Sequence, residues 1–422
     1  MLSKFLKHLS KQQKIDILSV FIACIIITFI TIAALSTNNI YYDTTGQQLL
    51  ARQWLDGHFG GSSVSATSYI WKIFLFYMPS ELLGLNPKIS LYVLTILFNI
   101  LTVIGLFAVI KAILKHFKVN HDSRLGLSMI WLSVMSVSIF WVGFANSRNL
   151  ELVMGLTVLY FGLSLYKNKK ASPKHIIMLS CLAGVVYFCD PMQLWITTTV
   201  LVGYVLIDNL PLLSRPPHPA KKALFKVIIS VGGGIVIYQI LILLAKNILK
   251  VHFFWMGDYL FTAIGAALAN FPQVAAKTID NIAYIFSGGI GTHPENILFA
   301  IIITIGAIVL LFHKKHSRDL RIFLPLFLLT TIIVPTLSGF NLFIGNSTPR
   351  FMIMLVPAII ILWSSVCLPN PKTIICIIII WLVLELPTSI NFMTNTNGQF
   401  SNETAMFEYR EQLESSNYAY AW

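Results

Sequence analysis

Residues 15–36 read IDILSVFIACIIITFITIAALS. Apart from Asp16 the run carries no charge, and it is long enough to cross a hydrocarbon core as a helix, which takes about 20 apolar residues. Its apolar residues are continuous rather than alternating, so it suits a membrane helix and not a barrel strand. The same pattern recurs along the chain. Eleven candidate spans can be marked, at 15–36, 89–111, 125–144, 150–166, 176–189, 193–207, 227–246, 297–312, 322–338, 351–368 and 373–390. The segments 176–189 and 193–207 are short enough to form one broken hairpin. With 56% apolar and only 11% charged residues over 422 positions, the chain has more apolar surface than a soluble core can hide. The expectation is an all-α, polytopic transmembrane bundle of about eleven spans.

The basic residues orient this bundle. They cluster in alternate loops: Lys4, Lys7, Lys11 and Lys14; Lys111, Lys115, Lys118 and Arg124; Lys167, Lys169, Lys170 and Lys174; Arg215, Lys221, Lys222 and Lys226; Lys314, Lys315, Arg318 and Arg321; and Lys372. Short loops rich in Lys and Arg stay in the cytoplasm. The expected protein is therefore multi-pass in the cell membrane, with a cytoplasmic N-terminus and an extracytoplasmic C-terminus. The formal net charge of +13 then reflects topology and contact with anionic membrane lipid. No nucleic-acid partner is needed to explain it.

The first apolar run is too long for the core of a cleaved signal and reads as an uncleaved signal anchor. The five cysteines (Cys24, Cys181, Cys189, Cys367 and Cys376) all lie in or at the ends of spans, without a C-x-x-C pair. That usage argues against a disulfide framework or a zinc site.

This topology makes residues 1–390 one membrane module and leaves 391–422 as a short outward tail. The long outward segments 37–88 and 247–296 would cover the module, with a shorter outward loop at 339–350. Both long segments mix apolar and aromatic residues with polar ones. They read as interfacial helices on the outer face, with Trp71, Tyr77, Trp255 and Tyr259 at headgroup depth. The inward loop 208–226, DNLPLLSRPPHPAKKALFK, is proline-rich and reads as an ordered linker. VGGGIV at 231–236 suggests close helix packing rather than a phosphate loop.

Just past the first span comes YYDTTGQQLLARQWLDGHFGG, residues 41–61. Thr44-Thr45-Gly46-Gln47 matches a capping box, so a helix is expected to start there, with Gly57 as its C′ residue. Leu50, Ala51, Trp54 and Leu55 form its apolar stripe, with Gln47, Gln48, Arg52 and Asp56 on the rest. Asp43 stands at or just before the N-terminus, where the helix dipole favours its ionised form. Such a carboxylate suits accepting a proton or holding a divalent cation (Mg or Mn); it can equally be only a cap. Asp56 lies on the other side of the helix and suits a pair with Arg52 one turn back. His58 follows in a glycine-rich exit.

Other polar residues fall on the same outward face. Arg148 and Glu151 flank the start of the fourth span, at a spacing that also allows a simple ion pair. Asp190, in YFCDPMQLW, either serves the site or caps the next helix with Pro191 at its first position. Arg350 opens the tenth span, where an arginine can also merely snorkel. Arginine forks match phosphate, and a free carboxylate can serve as a base. Glu385 lies inside the last span and should face the bundle or a cavity.

The order of these features resembles a family. A short basic N-terminus and one span precede an outward loop that opens with an aspartate and continues as A-R-x-W-x-x-G (51–57). S-R-x-x-E follows at 147–151, and R-F-x-x-x-x-x-P at 350–357. This looks like the GT-C type of membrane glycosyltransferase, which includes protein O-mannosyltransferase and aminoarabinose transferase relatives, over about residues 15–390. The resemblance implies an enzyme that takes a sugar from a polyprenyl-phosphate donor and passes it to a lipid, glycan or protein acceptor. It implies Asp43 as the catalytic base for inverting displacement and Arg148 as a ligand of the donor phosphate, with Arg350 as a second. Glu151, Asp190, Arg52 and His58 complete the candidate substrate-binding set. The chain departs from the pattern in having one aspartate where some relatives have an acid pair. It also has SATSYIWKIF where a His-Pro-Pro element often stands, and the tail 391–422 is expected to be too short to form the soluble C-terminal domain of many relatives. The alternative reading is a transporter or flippase for a lipid-linked or anionic solute, which would place its polar pairs near the membrane midplane.

Overall fold

A computed structural model describes residues 10–36, 42–57, 63–64, 67–120, 123–135, 149–168, 172–210, 219–248, 250, 252–253, 265, 267–287, 304–306, 308–312, 317–337, 354–366, 370–380, 382–383 and 420–421. The described chain is helical. The elements are α1 (Lys11–Ser36), α2 (Tyr42–Leu55), β1 (Ser63–Val64), α3 (Thr67–Lys72), a π-helical turn (Ile73–Tyr77), α4 (Met78–Leu82) and α5 (Pro87–His116). They continue as α6 (Arg124–Met135), α7 (Asn149–Lys167), α8 (Pro173–Cys189), α9 (Pro191–Asn209), α10 (Pro219–Ile248), β2 (His252–Phe253), α11 (Phe271–Ser287), α12 (Arg318–Leu337), α13 (Leu355–Val366), α14 (Pro371–Ile380) and β3 (Tyr420–Ala421).

Six of these helices, α1, α5, α7, α9, α10 and α12, are long and apolar enough to cross a membrane. The expected spans 125–144, 176–189, 351–368 and 373–390 overlap the shorter apolar helices α6, α8, α13 and α14. The expected span 297–312 is described only at 304–306 and 308–312, which are helical. Large apolar side chains such as Phe21, Phe29, Val93 and Leu101 stand exposed on α1 and α5. An outward apolar surface of this kind is what lipid covers.

Local chemistry explains where the helices begin. Ser10 and Gln13 form a reciprocal capping box before α1: the Gln13 amide donates to Ser10 Oγ at 3.2 Å and the Ser10 amide to Gln13 Oε1 at 2.9 Å. Helices α8, α9 and α14 each follow a polar cap residue (Ser172, Asp190, Asn370) and open on proline, whose missing N–H costs nothing at that position. Asp190 alone separates α8 from α9, so the expected broken hairpin is two helices meeting at one extended residue (φ −148°, ψ 104°). The proline-rich linker is shorter than expected, because Asp208 and Asn209 finish α9 and α10 already starts at Pro219; residues 211–218 lie outside the described residues.

The glycines of 232–234 do allow close packing. A Cβ at Gly234 would stand 2.8 Å from Ala183 Cβ, and one at Gly233 2.6 Å from Ser180 Oγ, whereas Gly232 faces open space. Helices α8 and α10 thus approach backbone to backbone along this stripe. Helix α13 runs through the middle of the bundle with all twelve residues buried, and its Trp363 packs on Trp131 of α6 at 4.9 Å.

Ion pairs identify one end of the bundle. Lys111 reaches Asp16 at 3.5 Å, Lys167 reaches Asp319 at 2.5 Å and Arg318 reaches Asp208 at 3.8 Å. Tyr166 donates to Asp208 at 2.7 Å and accepts from Asn209 at 2.9 Å. Lys111, Lys167 and Arg318 belong to three different basic clusters, so those clusters share the end at which α1 starts. We call this the lower end and the opposite one the upper end.

The upper end gathers segments that are remote in sequence. Strand β1 pairs in parallel with both β2 (Ser63 with His252, Val64 with Phe253) and β3 (Ser63 with Tyr420, Val64 with Ala421). These three two-residue strands join the segment 37–88, the segment 247–296 and the tail in one small sheet. Helix α11 reaches the same region, with Thr278 Oγ1 at 3.0 Å from Thr336 Oγ1 near the finish of α12.

Candidate functional site

Helix α2 starts at Tyr42, not at the Thr44 box, so Asp43 lies in its first turn rather than before it. Its other end matches expectation: the helix finishes at Leu55, and Gly57 takes the left-handed conformation (φ +82°) while its amide donates to the Trp54 carbonyl at 3.2 Å. The polar face is narrower than the sequence suggested. Gln47 and Gln48 are buried with Leu49, Leu50, Ala51 and Trp54, and Arg52 and Asp56 are exposed. Helix α2 therefore sinks most of its circumference into protein. The side chain of Asp43 lies outside the described part of the structure, as do residues Arg148, Arg350, His58, Glu385, Trp255 and Tyr259.

Helix α3 and the π-turn lock α2 to the bundle. The Trp54 ring meets Phe74 at 5.3 Å, and Phe76 packs edge-on against Trp71 at 5.9 Å and Phe98 of α5 at 4.7 Å. Ser90 of α5 donates to Ser80 at 2.8 Å, and Ser80 in turn to the Tyr77 carbonyl at 2.8 Å. Trp71 and Tyr77, expected at headgroup depth, are instead buried in protein, and Phe74 and Leu75 are the exposed residues of the π-turn. The reason is that the π-turn faces α2 and α5 on one side only. Burial also holds the Tyr77 phenol above its ordinary range.

Below this layer lies a buried ionic centre. Lys72 Nζ stands 2.9 Å from Glu151 Oε1, with both side chains almost wholly out of solvent. Trp71 Nε1 donates to the same oxygen at 3.2 Å, and Lys72 Nζ also lies 5.5 Å from the centre of the Trp71 ring. Two donors thus hold one carboxylate oxygen of Glu151. Its other oxygen, Oε2, is buried and finds no donor among the described residues. Glu151 therefore pairs across the fold with Lys72, an arrangement the local Arg148 spacing did not foresee.

Asp190 sits at the same end, buried. Its Oδ1 accepts from the Met192 amide at 3.1 Å, which caps α9, and its Oδ2 accepts from Gln193 Nε2 at 3.2 Å. It is close enough to act electrostatically on Glu151. The cap and the buried centre are thus one residue's two tasks. Gln193 Oε1 lies against Gly155, one turn along α7 from Glu151, at a place that any Cβ there would occupy. It too is buried without a donor among the described residues. Nearby, Asn149 donates to Asn99 at 2.9 Å and Asn99 to Thr31 at 3.0 Å, linking α7, α5 and α1 by side-chain hydrogen bonds.

The structure therefore joins two of the sequence candidates, Glu151 and Asp190, and adds Lys72, Trp71, Gln193 and Gly155 to them. One signal for Lys72 was present: a lysine inside the apolar run IWKIF is costly unless it is paired. Gln193 stands three residues after its anchor Asp190, a spacing that puts both on one helical face. Arg52 remains at the exposed edge of α2. Among the described residues no group of three or more His, Cys, Asp or Glu side chains converges as metal ligands.

No protein-family model matches this chain, and no curated protein matches it in sequence.

Proposed function

We propose that the protein is a membrane glycosyltransferase of the GT-C type. It would move a sugar from a polyprenyl-phosphate donor to a lipid, glycan or protein acceptor on the extracytoplasmic face, with about eleven spans and the upper end outward. The observation that carries this reading is the docking of the Asp43-bearing helix α2, through Trp54, Phe74 and the Lys72–Glu151 pair, onto the start of α7. Glu151 follows Arg148 by three residues, so the expected base and the expected phosphate ligand belong to segments joined by one buried ion pair.

In this mechanism Asp43 accepts the proton of the acceptor hydroxyl as its oxygen attacks the anomeric carbon. The new C–O bond forms from the face opposite the leaving group. The bond to the donor phosphate breaks, its electron pair leaves with the polyprenyl phosphate, and the anomeric configuration inverts. Arg148 and Arg350 hold that phosphate and its growing charge. The buried centre keeps α2 in place against α7 while the lipid chain stays in the bilayer.

The test uses purified protein in nanodiscs with labelled polyprenyl-phosphate sugars and measures release of free polyprenyl phosphate. Release should occur in the presence of acceptor. Asp43→Asn should lower it by about 10²-fold or more without changing membrane insertion. Full activity of that variant removes Asp43 from the mechanism.

A further inference from the structure

We infer that Glu151 and Gln193 form a sugar-reading site at the upper end of the seam between α7 and α9, specific for hydroxyl donors of a neutral sugar. This rests on the glycosyl-transfer reading and gives it a substrate class. Glu151 Oε2 and Gln193 Oε1 are each in residues no more than 2% exposed, and each lacks a hydrogen-bond donor among the described residues. Buried acceptors without donors are costly, and native proteins leave few of them without a reason.

Both side chains are held by their other end. Glu151 is anchored through Oε1 by Lys72 and Trp71. Gln193 is anchored through Nε2 by Asp190, itself fixed as the cap of α9. Anchoring at one atom leaves the second oriented and uncommitted, which is how a preorganised binding group is built. The two uncommitted oxygens also belong to one place. Gln193 Oε1 lies at Gly155, and Gly155 follows Glu151 by one turn on the same face of α7.

The chemistry of the site selects its ligand. Two acceptors call for two donors, which the hydroxyls of a sugar supply. A carboxylate or phosphate oxygen at the same spot would set acceptor against acceptor beside two acids, Glu151 and Asp190. The donor phosphate therefore lies elsewhere, and a uronic acid is disfavoured where its carboxylate meets these oxygens, since Lys72 is already engaged by Glu151.

The test measures binding without turnover. Tritiated undecaprenyl-phosphate glucose, galactose and mannose, the monodeoxy analogues of the tightest binder, and undecaprenyl-phosphate glucuronate are bound to the protein in nanodiscs. At least one monodeoxy donor should bind about 10-fold or more weakly than its parent. Gln193→Met, which keeps the shape and removes the acceptor, should bring the parent down to the level of that analogue. Gly155→Ala, which displaces the Gln193 oxygen without altering its chemistry, should do the same, with thermal unfolding confirming that each variant is folded. Wild-type discrimination surviving in both folded variants overturns the site, as does glucuronate binding as tightly as the neutral parent, or no binding of any donor. Polyprenyl phosphate release is read in parallel. Discrimination without release sinks the transferase reading and leaves the sugar site; release without discrimination does the reverse.

Discussion

Lys72 and Glu151 meet at 2.9 Å between two segments that the chain keeps far apart, and neither side chain reaches solvent. A buried charge deprived of its partner has no water to turn to. Lys72→Met or Glu151→Leu alone should therefore destabilise the protein by about 3–5 kcal/mol. The double variant should recover much of that loss, because two well-packed apolar residues leave no orphan charge. Thermal unfolding in detergent decides it; additive losses in the double variant would show that the pair is not coupled.

Asp190 separates two roles that one substitution can tease apart. Asp190→Ala removes the α9 cap and should cost about 1 kcal/mol from that term alone. Asp190→Asn keeps an oxygen for the Met192 amide but turns an NH₂ toward Gln193, donor against donor. Gln193 can meet that NH₂ only by turning its own amide over so that Oε1 accepts from it, which should keep the α9 cap and still weaken sugar binding as the Gln193 change does. Normal sugar binding by Asp190→Asn would cut the link from Asp190 to Gln193.

The glycine stripe makes a steric prediction. Gly234→Leu should destabilise by about 1–3 kcal/mol or more, since even its Cβ would press on Ala183. Gly232→Ala faces open space and should be neutral or slightly stabilising, because alanine favours the helix by about 1 kcal/mol over glycine. Equal effects from the two would mean that α8 and α10 do not pack as described.

Tyr77 carries a hydroxyl that is buried without a partner among the described residues, in a place where burial raises its ionisation range. A raised value in the folded state means that the neutral phenol is favoured there. Its contribution is complete below the unfolded value near pH 10.0 and is lost as the pH climbs beyond it. Tyr77→Phe should be neutral or stabilising at pH 7 and should flatten the fall in melting temperature above pH 10. A fall as steep as that of the wild type would assign the alkaline transition to other groups.

Orientation is open to direct measurement. Arg52 and Lys118 are exposed near opposite ends of the bundle. In a background without native cysteines, Arg52→Cys should react with a membrane-impermeant maleimide in intact cells, and Lys118→Cys only after permeabilisation. The opposite pattern would turn the protein over and move the proposed chemistry into the cytoplasm.

Much of the architecture is written locally and can be read that way. Continuous apolar runs mark the helices, Ser10, Ser172, Asp190 and Asn370 mark their starts, and Gly57 marks the finish of α2. Each of these depends on a few neighbouring residues and on the backbone groups that helix ends leave unpaired. The shared lower end of the basic clusters follows from the parity of the spans. Partnership is a different matter. In a bundle of apolar helices, hydrophobicity marks lipid-facing and protein-facing positions alike, so periodicity does not say that Gln47 and Gln48 are buried or that Trp71 faces inward. Nothing near Lys72 in the chain announces Glu151, and nothing near Ser63 announces His252 or Tyr420. Those meetings are decided by how the helices pack, because a buried charge or an unpaired strand edge is satisfied by whichever partner the tertiary fold carries to it.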